Sequence, residues 1–221
     1  MGGKGVNKSR RRFLLAAAGG AALVVGVYLG VGGEKSRNAR EVWGDSPGGW
    51  VPNAWLRIDP NGRVTVRVKH SEMGQGCTTG LPAMVAEELE VAWDQVDFEI
   101  APVEEIYKNP AYGVQMTGGS SATPTSWEPL RMAGAIAREL FIAAAAGKWG
   151  VPAKECKAVN GQVVHQASKR SLPYGELTSI ASRLTPPKEV ALKKPGEYKL
   201  IGKDLPRLDA PAKVEGRAVF G

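Results

Sequence analysis

The chain has 221 residues, 29 of them basic and 22 acidic, for a formal charge of +7, and that length suits one medium domain or two small ones. Five of the basic residues, Lys4, Lys8, Arg10, Arg11 and Arg12, sit at the extreme N-terminus; without them 24 basic residues face 22 acidic ones, so no basic stripe remains that would argue for nucleic acid. Two cysteines, Cys77 and Cys156, and two histidines, His70 and His165, cannot supply the four thiolates of an iron–sulfur cluster and are too few for a metal cage built from this chain alone. The cysteines read as two separate thiols, with a disulfide after export as the alternative, and the histidines as ordinary polar residues.

Ser9-Arg10-Arg11-Arg12-Phe13-Leu14 fits the twin-arginine export pattern, with Arg10 and Arg11 as the arginine pair. An apolar run follows to Val31, and the first acidic residue is Glu34. This charge pattern predicts an export-signal helix over 1–33 and a periplasmic protein. The run is also close to the ~20 residues that span a bilayer, and no Ala-x-Ala site ends it. An uncleaved signal would therefore stay as an anchor with its basic end inside. The resemblance to known twin-arginine substrates, which cross already folded and often loaded with a cofactor, implies a cofactor-binding protein.

Residues 34–50 are rich in Gly, Ser and charge and read as a linker. Trp55-Leu56-Arg57-Ile58, the turn Asp59-Pro60-Asn61-Gly62 and the alternating Arg63-Val64-Thr65-Val66-Arg67-Val68-Lys69 predict a hairpin whose second strand is half-buried. Pro82 is expected to open a short helix with Met84, Val85 and Leu89 inward and Glu87 and Glu88 on the other side. Val96–Ile100 alternates as a strand, and a long loop leads to a helix over about 126–148. Val159-Asn160-Gly161-Gln162 marks another hairpin, Ser171-Leu172-Pro173 the start of a short helix running to Leu184, 186–212 a linker, and Val214–Phe220 the start of a strand. The fold class is α+β: a βαβα unit over 51–185 with small hairpin and helix additions.

Two turns of small residues carry the chemistry. Ser71-Glu72-Met73-Gly74-Gln75-Gly76 precedes the first helix, and Thr117-Gly118-Gly119-Ser120-Ser121-Ala122-Thr123 the second. Each is expected to present unpaired N–H groups at the positive end of a helix, where phosphate can be held. Gln75 adds an amide suited to the edge of a polar heterocycle. Either turn alone fits a plain connection equally well. Neither has the Gly-Lys-Ser/Thr of a nucleotide-hydrolase loop or the Gly-x-Gly-x-x-Gly spacing of a dinucleotide site.

Taken together and in this order, Glu72-Met73-Gly74-Gln75-Gly76 and Thr117-Gly118-Gly119-Ser120-Ser121 resemble the xanthine oxidase and aldehyde oxidase superfamily. The likeness is to its molybdopterin-binding large subunit, in the branch typified by the isoquinoline oxidoreductase β-subunit. The resemblance runs from about Trp55 to Gly221. It implies that Met73, Gly74 and Gln75 of the first turn, and Gly119, Ser120, Ser121 and Ala122 of the second, hold a molybdopterin cytosine dinucleotide. Ala122 stands where relatives often carry serine, so its contact would be through backbone alone.

The resemblance further implies a molybdenum hydroxylase that oxidises aldehydes or N-heterocycles with oxygen from water. Its electrons would leave through a separate small subunit with two 2Fe–2S clusters, with a cytochrome c as a candidate acceptor. Export would engage the twin-arginine translocase. Residues 213–221 resemble the opening of an α/β hammerhead domain. The family's catalytic glutamate belongs to a later part of the large subunit, and none of Glu72, Glu87 or Glu88 matches its motif, so no catalytic residue is assigned. The chain alone is expected to be an inactive N-terminal portion that needs the remainder of the large subunit. The alternative is a self-contained, membrane-tethered periplasmic interaction module without redox activity.

Overall fold

The structure, a computed structural model, describes Trp43 and residues 50–219. The export segment with Arg10 and Arg11, most of the 34–50 stretch, and Phe220 and Gly221 lie outside the described residues. Four strands, β1 (Trp50–Asn53), β2 (Leu56–Ile58), β3 (Val64–Val68) and β4 (Val96–Ile100), form one sheet in the order β1-β2-β3-β4. The hairpin falls at Asn61-Gly62, and β3 and β4 run parallel with Val64 opposite Val96. A parallel pair needs a crossover, and helix α1 (Cys77–Leu89) provides it. β1 has no counterpart in the sequence pattern because Pro52 interrupts it; an edge position tolerates the missing donor.

β3 is buried along its whole length, not half-buried. Its valines face the helices, while the polar face is covered too. Trp43 lies 3.6 Å under the Arg67 guanidinium, which also reaches Glu99 at 3.0 Å and the Tyr107 hydroxyl at 3.4 Å. Tyr107 in turn donates to Ala54 O at 2.7 Å and meets Trp55 edge-on.

α1 opens at Cys77, five residues before the proline expected to start it. The Glu72 carboxylate satisfies N–H groups at the new start, and Pro82 then removes only one bond of the early helix. Glu87 and Glu88, expected on the outer face, are 1% and 0% exposed. Glu88 receives Arg131 (Nη2 at 2.6 Å), Arg138 (Nη1 at 3.3 Å) and the N–H of Lys193. Glu87 receives Lys193 Nζ at 2.6 Å and the backbone N–H groups of Lys199, Leu200 and Ile201. Burial opposes the Glu87 charge, but the Lys193 ammonium and the donors of Leu200 and Ile201 outweigh it and hold its pKa below the usual range. Residues 193–201, within the 186–212 stretch read as linker, are thereby tied to α1.

The long helix α2 (Ala122–Trp149) packs along α1. The approach is tight at Gly134, where a Cβ would stand 2.5 Å from Val85 O. A second sheet follows, β5 (Cys156–Val159), β6 (Gln162–His165) and β7 (Arg170–Pro173), all antiparallel. Ser171-Leu172-Pro173 therefore belong to a strand rather than a helix start: Leu172 pairs with Val163 and Ser171 with Val164. Helix α3 (Tyr174–Ala181) is correspondingly shorter than expected. Tyr174 anchors it, fully buried, stacked on Phe141 at 4.1 Å and donating to Leu89 O.

The C-terminal stretch departs from expectation as well. Ala210–Val214 form a short helix, α4. The N–H groups of Arg217 and Ala218 turn back to Ala212 O at 2.8 and 2.9 Å. Donors taken in this way cannot pair in a ladder, and residues 214–219 hold no strand. Both cysteines are free and buried. No helix among the described residues is long and apolar enough to cross a membrane.

Candidate functional site

The first turn leaves the end of β3 and enters α1. Gly74 (φ 103) and Gly76 (φ 83) take left-handed conformations that only glycine adopts readily. Its N–H groups are not vacant. Glu72 folds its carboxylate into the turn and accepts from Gly74 N (2.8 Å), Gly76 N (2.8 Å), Thr78 N (3.1 Å) and Thr78 Oγ1 (2.8 Å). Burial works against this charge, but the donors of Gly76, Thr78 and Gly74 prevail and lower its pKa to about 2. The expectation of unpaired donors at this helix end is thus corrected: the chain supplies its own anion.

Gln75 is also engaged within the turn. Its Oε1 accepts from Met73 N at 2.5 Å, and its Nε2 donates to Ser71 O at 2.9 Å. Met73, by contrast, projects outward, 69% exposed. Cys77 sits beneath the turn with its thiol on Ser71 O and His70 O. Burial first, then the Glu72 charge, pushes its pKa up to about 12, which keeps it a protonated, inert thiol.

A residue far along the chain holds this turn from outside. Arg207 donates to Gly74 O at 3.3 Å and approaches Glu72 at 3.3 Å, while Asp209 grips the guanidinium through two bonds of 2.9 and 2.8 Å. Leu208 N donates to Thr79 Oγ1. A cavity of about 440 Å³ lies between Ser71, Glu72 and Thr78 on one side and Leu208, Lys213 and Arg217 on the other. No local pattern marks Arg207 in the sequence: Asp209 is two residues away, but the turn that Arg207 holds lies more than a hundred residues earlier.

The second turn is built differently. Gly119 (φ 58) and Ser120 (φ 50) are both left-handed, and Ser120 is a rare conformation for a residue with a side chain. Ser121 is buried. Its hydroxyl donates to Gly118 O at 2.8 Å and accepts from Asn109 Nδ2 at 2.7 Å, which fixes the entry to α2 at Ala122. Gly119 and Ser120 are exposed, and among the described residues their N–H groups and the Ser120 hydroxyl meet no hydrogen-bonding partner. A Cβ on Gly119 would stand 2.1 Å from the Tyr112 hydroxyl, so the phenol covers this glycine closely.

The two turns are joined at their roots. Ser71 N donates to Thr117 Oγ1 at 2.7 Å, and one residue earlier the His70 imidazole Nδ1 meets Met116 O at 3.0 Å. Met73, Gly74 and Gln75 therefore share one end of the βαβα unit with Gly119, Ser120, Ser121 and Ala122. Glu72, His70, Thr117 and Arg207, which organise this end, escape a reading based on turn composition.

The molybdopterin cofactor-binding domain model matches residues 6–216. The beta subunit of isoquinoline 1-oxidoreductase from Brevundimonas diminuta is 36% identical over 205 residues, covering 77% of this chain and 26% of that protein. A membrane-bound aldehyde dehydrogenase (pyrroloquinoline-quinone) of Gluconacetobacter polyoxogenes is 31% identical over 224 residues, covering 96% of this chain and 27% of that protein. A nicotinate dehydrogenase subunit of Pseudomonas putida is 29% identical over 167 residues, covering 75% of this chain and 14% of that protein. The chain thus spans about a quarter of the length of the first two relatives. By the extent of the model match and these identities, the chain belongs to the molybdopterin cofactor-binding domain family, within the xanthine oxidase superfamily.

Proposed function

We propose that this chain forms part of the cofactor cradle of an exported molybdenum hydroxylase. The observation that carries the reading is the junction of the two glycine turns, through Ser71–Thr117 and His70–Met116, in a chain of this family. The donor set fits the cofactor unevenly. At the second turn, outward N–H groups at consecutive left-handed residues and the Ser120 hydroxyl suit a phosphate or another anion. At the first turn Glu72 already occupies the place of an anion. What that turn offers a ligand is the Met73 carbonyl and the second lone pair of Gln75 Oε1, since the Gln75 Nε2 hydrogens are spent on Ser71 O and Cys77 Sγ; these acceptors suit the donor edge of a neutral heterocycle rather than a phosphate. Ser121 holds the second turn against α2 through its hydroxyl, and Ala122 acts through its backbone.

When bound, the molybdenum centre supplies the two-electron oxidation that hydroxylates a carbon with oxygen drawn from water. The residues of this chain bind and orient; none is assigned to move a proton. The substrate class is an aldehyde or an electron-poor N-heterocycle, by analogy with the activities in the relatives' names. The cofactor form is the cytosine dinucleotide, the electron exit a separate subunit with 2Fe–2S clusters and then a cytochrome c, and the compartment the periplasm, reached through Arg10 and Arg11. The test is to purify the native polypeptide, measure molybdenum by mass spectrometry, and identify the nucleotide released by acid. Stoichiometric molybdenum with cytidine monophosphate supports the reading. Absence of both metal and pterin from protein made in a host that produces the cofactor overturns it.

A further inference from the structure

The end of β3 and the loop before α2 meet along two successive contacts, 70 to 116 and 71 to 117, each directly preceding one of the glycine turns. Met116 offers a carbonyl, an acceptor only, so the His70 nitrogen facing it at 3.0 Å carries the proton. The ring is fully buried, and its other nitrogen, Nε2, has no partner among the described residues. Burial, together with the neighbouring Lys69 charge, keeps the imidazole pKa below its usual value despite the Met116 carbonyl, so the ring is neutral with its proton on Nδ1. A histidine serving only to fill the core would have little reason to leave one buried nitrogen orphaned, since an apolar side chain would avoid that penalty. The bond through Nδ1 is the feature that an apolar residue cannot reproduce. His70 also receives the Cys77 thiol on its backbone carbonyl, so it touches both the start of α1 and the approach to α2.

We propose that His70 is a positioning residue, which through its Nδ1–H bond to Met116 O sets the spacing between the two cofactor turns, with Ser71 N–Thr117 Oγ1 as the second fastening. The proposal rests on the cofactor reading. Loosening either fastening lets the Gly119-Ser120 turn drift relative to Gly74-Gln75, and a ligand gripped by both is released faster. The substitutions that separate this from a packing role are His70→Asn, whose Nδ2–H lies near the place of the imidazole Nδ1–H, His70→Gln, whose amide reaches instead toward Nε2, and His70→Leu, which has neither. Thr117→Val, at a less buried position, removes the second fastening with little change of shape.

Each is made in the native polypeptide, produced in a host that supplies the cofactor. Two quantities are read: the rate at which pterin is lost on dilution, from the fluorescence of its oxidised form, and the thermal midpoint of the cofactor-free protein. His70→Leu and His70→Gln are expected to release pterin about tenfold faster, as loss of one hydrogen bond implies. His70→Asn should stay within about twofold of the parent, and Thr117→Val should be faster by several-fold, on the same ground. Pterin loss that tracks the thermal midpoint across all three His70 variants, with no advantage for Asn, overturns the proposal in favour of core filling. So does parental retention in His70→Leu or Thr117→Val. A parent protein that carries no pterin defeats the cofactor reading itself, which is a distinct result.

Discussion

Replacing Glu72 by glutamine tests whether the first turn is organised by an internal anion. One carboxylate oxygen accepts from Gly74 N and Gly76 N and faces Arg207; the other accepts from Thr78 N and Thr78 Oγ1. An amide keeps one of these two faces and turns N–H groups toward the other. Two bonds to a charged acceptor are lost, each worth ~1.5 kcal/mol at the low end. The turn borders solvent, so water recovers part of that, and a net cost of about 2 kcal/mol remains. Because the loss is local, hydrogen exchange of the amides from Gly74 to Leu81 is the suitable assay. Their protection should fall about thirtyfold in Glu72→Gln at neutral pH. The sign with pH follows from the depressed pKa. The contribution is fully present above the usual carboxylate value of 4.5 and is lost as pH falls toward about 2. The parent should therefore lose protection across that window, beyond the intrinsic exchange chemistry, and Glu72→Gln should not. Equal protection in both proteins at neutral pH, or the same acid response in both, would refute the internal-anion account.

The remaining predictions concern packing, the cradle and export. Gly134→Ala should lower stability by ~1–3 kcal/mol, because its Cβ would press on Val85 O, a backbone atom of α1 that cannot swing aside; calorimetry would show it as a lower midpoint. Glu88→Gln should cost ~3–5 kcal/mol by leaving Arg131 and Arg138 without their buried carboxylate, and limited proteolysis should then cut within 188–199. Gln75→Ala should reduce molybdenum content more than turnover per bound molybdenum, since its amide shapes the turn from Met73 N to Ser71 O; full metal with lost turnover would assign it a catalytic role instead. Gly119→Val should reduce content further, because a branched side chain at φ 58 collides with Tyr112. Changing Arg10 and Arg11 to lysine should leave full-length protein in the cytoplasm on fractionation, and an unchanged periplasmic yield would count against the signal.

The elements that were legible in the sequence are those specified locally. Asn61-Gly62 and Asn160-Gly161 each fix a hairpin, the apolar spacing of α2 survives folding because that helix buries one face, and β4 keeps its strand through its parallel pairing with β3 although Ile100 stays exposed. What escaped notice depends on partners remote in the chain. Glu87 and Glu88 look like a solvated pair because glutamate seldom goes inside; they are buried only because Arg131, Arg138 and Lys193 arrive from α2 and the 193–201 segment to neutralise them. The polar face of β3 is hidden for the same kind of reason, Trp43 being supplied from the chain before β1 and Tyr107 from the chain after β4. At the site, glycine and serine identified where the chain turns but not which donors stay available. That depends on a single side chain, Glu72, whose carboxylate fills one turn while the other has no equivalent acid. Two turns of similar composition therefore carry opposite electrostatic character: one closed by its own anion, the other with the N–H groups of Gly119 and Ser120 unpartnered among the described residues. If the two turns hold the cofactor as proposed, its two ends would not compete for the same groups: acceptors at Met73 and Gln75 would face a neutral ring, and the N–H groups at Ser120 a charged tail.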